Sequence, residues 1–285
     1  MSQTKQQIQA LLAQAEASPR YRFGQNFMID RNLVAVIADS GGLSGSDLAI
    51  EIGPGTGTLT EELLSRAGEV LAVEIDRNLS VLLRGHFADK PHFRLIEGDA
   101  LAGKHQLNAE LLAAITAAQA EGRAVKLVAN LPYNIASPLV IELLIAGVTN
   151  LAFTVQKEVA IRFKGRADTD DYGPLTVMAQ LLADVRVDRI LPAQAFWPAP
   201  TIESALVIMT RNDQLGADAR PFGKFVQSLF GGRRKMLRKM LSDHCPDPEL
   251  ILRPLGIDPQ QRPEMLTPLQ LLAIYRALPH HVDPG

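Results

Sequence analysis

The sequence predicts an α/β fold: a mostly parallel sheet with an antiparallel edge, followed by a small helical domain. Three observations predict it. Short apolar runs alternate with helical patterns over residues 47–182, the signature of strands joined by crossover helices. The next two apolar runs, 185–190 and 205–209, have no helix between them, which suits an antiparallel pair at a sheet edge. Beyond residue 212 only helical spacing continues. The expected division is therefore 1–30 for an N-terminal helix and the segment after it, 31–212 for the sheet domain, and 213–285 for the helical domain.

The elements follow in order. Ile8, Leu11, Leu12 and Ala15 are spaced as one face of a helix over 5–16, and Pro19 stops the pattern. Residues 22–28 mix polar and aromatic side chains and read as loop. Strands are expected at 48–52, 70–74, 93–97, 125–129 and 151–156, with helices at 59–66, 78–87, 109–119, 138–146, 157–164 and 175–182. The run at 125–129, around Leu127, suits a strand buried on both faces. Residues 192–200 form a Pro-rich loop. Phe222, Phe225, Val226, Leu229 and Phe230 then repeat at helical spacing, as do Met236, Leu237, Met240 and Leu241. Short helices at 249–255 and 268–277 complete the chain.

Composition narrows the class. Hydrophobic residues make up 47% of 285 positions, enough for a substantial core. The single Cys245 excludes an internal disulfide and fits a reducing compartment. Met1 to Lys5 lacks the apolar core of a signal peptide, and the apolar run at 138–148 is broken by Glu142. A cytoplasmic protein with no membrane contact is expected. It is expected as a monomer, since no coiled coil or extra apolar stretch asks for a partner. The histidines show no metal-ligand spacing, so no metal is expected. A net charge of −2 does not mark a nucleic-acid binder overall. Its distribution says more. Residues 220–242 carry Arg220, Lys224, Arg233, Arg234, Lys235, Arg238 and Lys239, with no Asp or Glu. Such a run is either a solvated helix face or a surface that meets phosphates.

The chemistry is concentrated at strand ends, where open α/β sheets bind their ligands. Asn130-Leu131-Pro132-Tyr133 follows the fourth strand. The Asn130 amide oxygen accepts hydrogen bonds. So does the Leu131 carbonyl, because Pro132 biases residue 131 toward an extended backbone. Tyr133 offers a flat face for a base. The set suits an aromatic ring bearing an amino group; it equally describes a turn with a tyrosine packed on the core. The first strand ends in Glu51-Ile52-Gly53-Pro54-Gly55-Thr56-Gly57. Its glycines permit close approach to the backbone or simply a tight turn. The spacing is neither G-x-G-x-x-G nor a P-loop. Glu74 ends the second strand, 17 residues after Gly57, near the offset at which an acid meets ribose hydroxyls. Asp99 ends the third, where it can accept from an adenine amino group or cap a turn.

This ordered set resembles the S-adenosylmethionine-dependent adenine N6-methyltransferases. Flanking segments narrow the likeness: Phe23-Gly24-Gln25-Asn26-Phe27, Asn134-Ile135, Gln156-Lys157-Glu158-Val159-Ala160, Tyr172-Gly173 and Arg233-Arg234-Lys235. Together they resemble the small-subunit ribosomal RNA dimethyladenosine transferases, over residues 20–275. The resemblance implies a Rossmann-like class I methyltransferase sheet. It also implies dimethylation of two adjacent adenines in the 3′-terminal hairpin of small-subunit rRNA, within a pre-30S particle. S-adenosylmethionine is the implied cofactor. Asn26 and Met28 would cover it, Gly53 and Gly55 would cradle it, Glu74 would hold the ribose and Asp99 the adenine. Asn130 would lie near its methionine portion and the target. Phe196 and Tyr133 would bracket a flipped adenine, and Arg233, Arg234 and Lys235 would bind RNA. The chain departs from the family pattern at Met28, Ala136 and Thr201, the last taking the place of a usual Lys. Three other readings remain: a large-subunit rRNA adenine methyltransferase, a non-catalytic RNA-binding assembly factor on the same scaffold, and a nicotinamide-dependent oxidoreductase. The tetrapeptide and the missing G-x-G-x-x-G weigh against the last.

Overall fold

A computed structural model describes residues 3–18, 25–232 and 235–279. Phe23, Gly24, Arg233 and Arg234 therefore lie outside the described residues. In chain order the elements are α1 (Lys5–Gln14), β1 (Phe27–Met28), α2 (Arg31–Ser40), β2 (Leu48–Ile52), α3 (Thr58–Leu64), β3 (Glu69–Glu74), α4 (Arg77–His86) and β4 (Phe93–Glu97). They continue with β5 (Leu101–Gly103), β6 (Gln106–Leu107), α5 (Ala109–Ala120), β7 (Val125–Asn130), α6 (Ala136–Ile145), β8 (Asn150–Gln156), α7 (Lys157–Phe163) and α8 (Pro174–Leu182). The last are β9 (Ala183–Leu191), β10 (Phe196–Trp197), β11 (Ser204–Arg211), α9 (Ala219–Phe230), α10 (Leu237–Leu241), α11 (Glu249–Leu252) and α12 (Pro268–Arg276).

The apolar strands assemble into a seven-stranded sheet of order β4-β3-β2-β7-β8-β11-β9. β2, β3, β4, β7 and β8 run parallel. β11 pairs antiparallel with β8. This is the predicted α/β class with an antiparallel margin. The central strands are buried on both faces; β2 reads Leu48 to Ile52 without an exposed position, as a parallel strand covered by helices must. Val34, Ile37, Leu59, Leu63, Val128 and Leu206 form part of the core on one side.

Several elements were not expected from the sequence. α2 begins at Asp30, whose carboxylate accepts from Asn32 N at 2.9 Å and Leu33 N at 3.1 Å, an N-cap that satisfies two orphan amides. Residues 27 and 28 form a short strand, not a loop, because they pair antiparallel with Trp197 and Phe196. β5 and β6 pair with each other. β1, β10, β5 and β6 follow the chain's contacts more than its periodicity.

Contacts divide the chain into one unit of residues 1–160 and 185–211 and another of 161–184 and 212–285. The sequence reading kept 161–184 with the sheet. The structure ties that segment to the helical unit instead. The Tyr172 hydroxyl donates to the Leu266 carbonyl at 2.6 Å, Asp168 N to Glu264 O at 2.8 Å and Asn212 N to Leu182 O at 3.0 Å. Within this unit Phe222, Phe225 and Tyr275 interlock, with ring centroids 5.3 to 6.2 Å apart, spacings that favour edge and tilted aromatic contacts.

Candidate active site

The carboxyl ends of β2, β3, β4 and β7 open into one cleft. Its lining includes Asn26, Met28, Gly53, Gly55, Glu74, Asp99 and Asn130. Those are seven positions that the sequence singled out from four strand ends and the N-terminal segment. Glu51, Thr58, Pro132 and Asn134 also line it. Leu131, Tyr133 and Phe196 are not among the lining residues.

The glycine loop is shaped by backbone geometry. Gly53, Gly55 and Gly57 have φ of 72°, 61° and 87°, a region that side chains disfavour. Space forbids side chains as well. A Cβ on Gly55 would stand 2.9 Å from the Phe27 ring, and one on Gly57 2.8 Å from Phe87. The loop is also held from the amino-terminal side. Gln3 donates to the Thr56 carbonyl at 2.9 Å and accepts from the Thr56 hydroxyl at 2.6 Å. Ile8 and Leu12 of α1 cluster with Phe27 and Leu79 beside it. Gln3 gave no signal in the sequence, because its partner lies 53 residues away.

Two carboxyls are buried here. Glu74 is 3% exposed; it accepts from Asp76 N at 2.9 Å and Gly55 N at 3.3 Å. Burial outweighs these hydrogen bonds and pushes its carboxyl up to about 7. Glu51 is 2% exposed and accepts from the Thr60 hydroxyl at 2.6 Å. Burial first, and the neighbouring Glu74 charge second, push it up to about 8. A carboxylate in such a position gains from any cation or pair of hydroxyls brought beside it. Asp99 is exposed by contrast. One of its oxygens accepts from Leu101 N at 2.9 Å, so it makes the turn and lines the cleft as well. Asn108 donates to the Asp99 carbonyl at 3.1 Å and also caps α5.

The tetrapeptide is fixed by neighbouring strands. Asn130 donates through Nδ2 to the Asn26 carbonyl at 2.7 Å. Its Oδ1 accepts from the Thr154 hydroxyl on β8. Leu131 N donates to the Thr154 carbonyl at 3.3 Å. The Tyr133 hydroxyl is 2.6 Å from Ser204 Oγ on β11. Tyr133 is half-buried, and burial pushes its phenol up from the ordinary value. Neither Thr154 nor Ser204 had been marked as functional. A threonine inside an apolar strand looks like ordinary β composition.

Phe196 requires a correction. Its ring is 2% exposed and packs in the core with Met28, Leu33 and Leu206. Pairing of β10 with β1 sets it facing inward, so in this conformation it offers no face to an incoming base. Its neighbour Trp197 is only half-buried and stacks on Phe27 at 6.4 Å. In the basic stretch, Lys235 is exposed; Arg233 and Arg234 lie outside the described residues. Among the described residues no cluster of three His, Cys, Asp or Glu side chains is placed to hold a metal, and no helix is long and apolar enough to cross a membrane.

Comparison with known proteins now bears on this cleft. The ribosomal RNA adenine dimethylase family matches residues 17–279. A protein of Magnetococcus marinus named ribosomal RNA small subunit methyltransferase A is 42% identical over 265 residues, covering 91% of this chain and 92% of its own. A Geobacillus thermodenitrificans protein of the same name is 35% identical over 280 residues, with 94% of each chain covered. Among solved structures, the 23S rRNA methyltransferase ErmE is 27% identical with a TM-score of 0.62, covering 89% of this chain and 99% of its own. A dimethyladenosine transferase from Plasmodium falciparum, 20% identical, shares the fold with a TM-score of 0.68, covering 87% of this chain and 95% of its own.

Proposed function

This chain belongs to the ribosomal RNA adenine dimethylase family, and from that premise we propose that it methylates N6 of adenines in small-subunit rRNA to give N6,N6-dimethyladenosine. S-adenosylmethionine is its cofactor. The targets are two adjacent adenines of the 3′-terminal hairpin, met in a pre-30S particle in the cytoplasm, and the enzyme acts as a monomer. The observation that carries this reading is the convergence of Gly53, Gly55, Glu74, Asp99 and Asn130 on one cleft.

The residues fit the cofactor. Glu74, an acceptor-only group when ionised, suits a ribose diol. Asp99 suits an adenine amino edge. Gly53 and Gly55, at positive φ, let a ligand lie against the backbone, with Asn26 and Met28 across from them in the same lining. When bound, the cofactor supplies a methyl group on a positively charged sulfur.

The chain's own contribution is to hold the acceptor. The lone pair of an adenine amino nitrogen is delocalised into the ring. Asn130 Oδ1 and the Leu131 carbonyl accept its two hydrogens and favour a pyramidal nitrogen, which frees the lone pair. Alignment in such a site contributes roughly 7–11 kcal/mol at the upper end. The target must leave its stack at a cost of a few kcal/mol, and the Tyr133 ring offsets part of that. After each transfer the cationic nitrogen releases one proton to water; one amino hydrogen remains after the first, so one of the two acceptors holds the nitrogen for the second. Arg233, Arg234 and Lys235 bind RNA phosphates.

The similarity to ErmE supports a second reading, a large-subunit RNA as substrate. Purified protein and S-adenosylmethionine, offered unmethylated small or large ribosomal subunits, separate the two. Mass spectrometry of the RNA is expected to show dimethyladenosine only in the small-subunit 3′ hairpin. Modification confined to large-subunit RNA would overturn the proposal.

A further inference from the structure

We infer that Thr154 is a positioning residue for methyl transfer, orienting the Asn130 carboxamide through its hydroxyl. The inference rests on the proposed role of Asn130 as acceptor. β7 and β8 run parallel with Asn130 and Thr154 as direct register partners, so their side chains emerge side by side on one face. Thr154 is 0% exposed. Its hydroxyl donates to Asn130 Oδ1, while Asn130 Nδ2 donates to the Asn26 carbonyl at 2.7 Å. A carbonyl can only accept, so the end of the amide facing Asn26 must be the NH2 group. That settles which way the amide lies.

The consequence is stereochemical. A planar amide held at both ends has one orientation. Its oxygen carries two lone pairs; Thr154 occupies one, and the other remains for an amino hydrogen of the target. Without the hydroxyl, the Cβ–Cγ bond regains its freedom of rotation and the acceptor lone pair is no longer aimed. Thr154 never touches the reacting atoms; it acts through Asn130. The position is otherwise an apolar strand, with Phe153 and Val155 on either side fully buried. A hydroxyl there does nothing for the core that a valine would not do.

Thr154→Val keeps shape and β propensity and removes only the hydroxyl. Loss of one aimed hydrogen bond is expected to lower kcat about tenfold. KM for RNA and for S-adenosylmethionine should stay within about twofold. Thr154→Ser restores the hydroxyl and is expected to recover kcat to within about threefold of wild type. In the full-length unliganded protein, the Asn130 side-chain amide signals in a 15N correlation spectrum, assigned by their loss in Asn130→Ala, should shift in T154V and not in T154S. Thr154→Ala carries the same kinetic and spectroscopic expectation if T154V is unstable. Wild-type kcat in T154V, or a T154S variant as impaired as T154V, would overturn the role. If N130A is inactive while T154V is unimpaired, only the Thr154 inference falls. If N130A methylates normally, the assignment of Asn130 falls, and Thr154 with it.

Discussion

In the sheet unit Glu74 is 3% exposed and Asn130 is held at both ends of its amide; in the helical unit Arg220, Lys224, Lys235, Arg238 and Lys239 all lie exposed. On the proposed function, the two regions serve different tasks. A site that must discriminate one amino group from others needs acceptors with fixed direction, and fixing them takes burial and neighbouring strands. A surface that meets a phosphate backbone needs only positive charge at the right density, since phosphate contacts position without reading sequence. Side chains of the first kind should therefore fail abruptly when changed. Side chains of the second kind should fail gradually and in a salt-dependent way.

The largest expected effect is at Asn130. N130A should lower kcat by about 100- to 1,000-fold, the range seen when an aimed hydrogen-bonding group is lost from a reacting centre. Cofactor affinity, followed by calorimetry, should change only a few-fold. Retained turnover would break the contrast between the two regions. The basic stretch comes next. Replacing Arg233, Arg234 and Lys235 together should reduce the slope of log K against log salt for RNA binding by about two. An unchanged slope would make the stretch a solvated helix face. Gly55→Ala follows. Its positive φ and the Phe27 ring 2.9 Å from an added Cβ should cost about 1–3 kcal/mol of stability, read by denaturant titration, and weaken cofactor binding.

The smallest effect concerns pH. Glu51 and Glu74 are held at about 8 and about 7, against an ordinary 4.5. The folded, unliganded protein thus keeps protons that the unfolded chain releases. Their contribution to stability is complete below about 4.5 and is lost as pH rises through 7 to 8. The melting temperature of E51Q should accordingly fall less than that of wild type over this range. Parallel pH profiles for the two proteins would show that Glu51 is not held protonated.

Much of the sheet was legible because its signals are local. The runs ending at Ile52, Glu74, Glu97 and Gln156 match the strand ends of β2, β3, β4 and β8. The expected strand 125–129 gained only Asn130. α2 could have been found, since Asp30 precedes Leu33, Val34 and Ile37 at helical spacing. β1 could not, because a two-residue strand exists only through its pairing with β10. Phe196 misled for the same reason. The resemblance set its ring against a flipped adenine, whereas its pairing in β10 turns it into the core. Residues 161–184 were assigned by proximity in sequence, yet Tyr172 and Asp168 bond to residues 94 and 96 positions further on.

By itself the sequence determined the alternation of strands and helices and which polar residues stand at four strand ends, because periodicity and turn residues act over a few positions. The tertiary structure decided what surrounds those residues. It joined Thr154 to Asn130 and Ser204 to Tyr133, buried Glu51 and Glu74, and closed Phe196 into the core. Each of these depends on strand register and on which element covers which face. Both are set by long-range packing, and neither is written in the neighbouring letters.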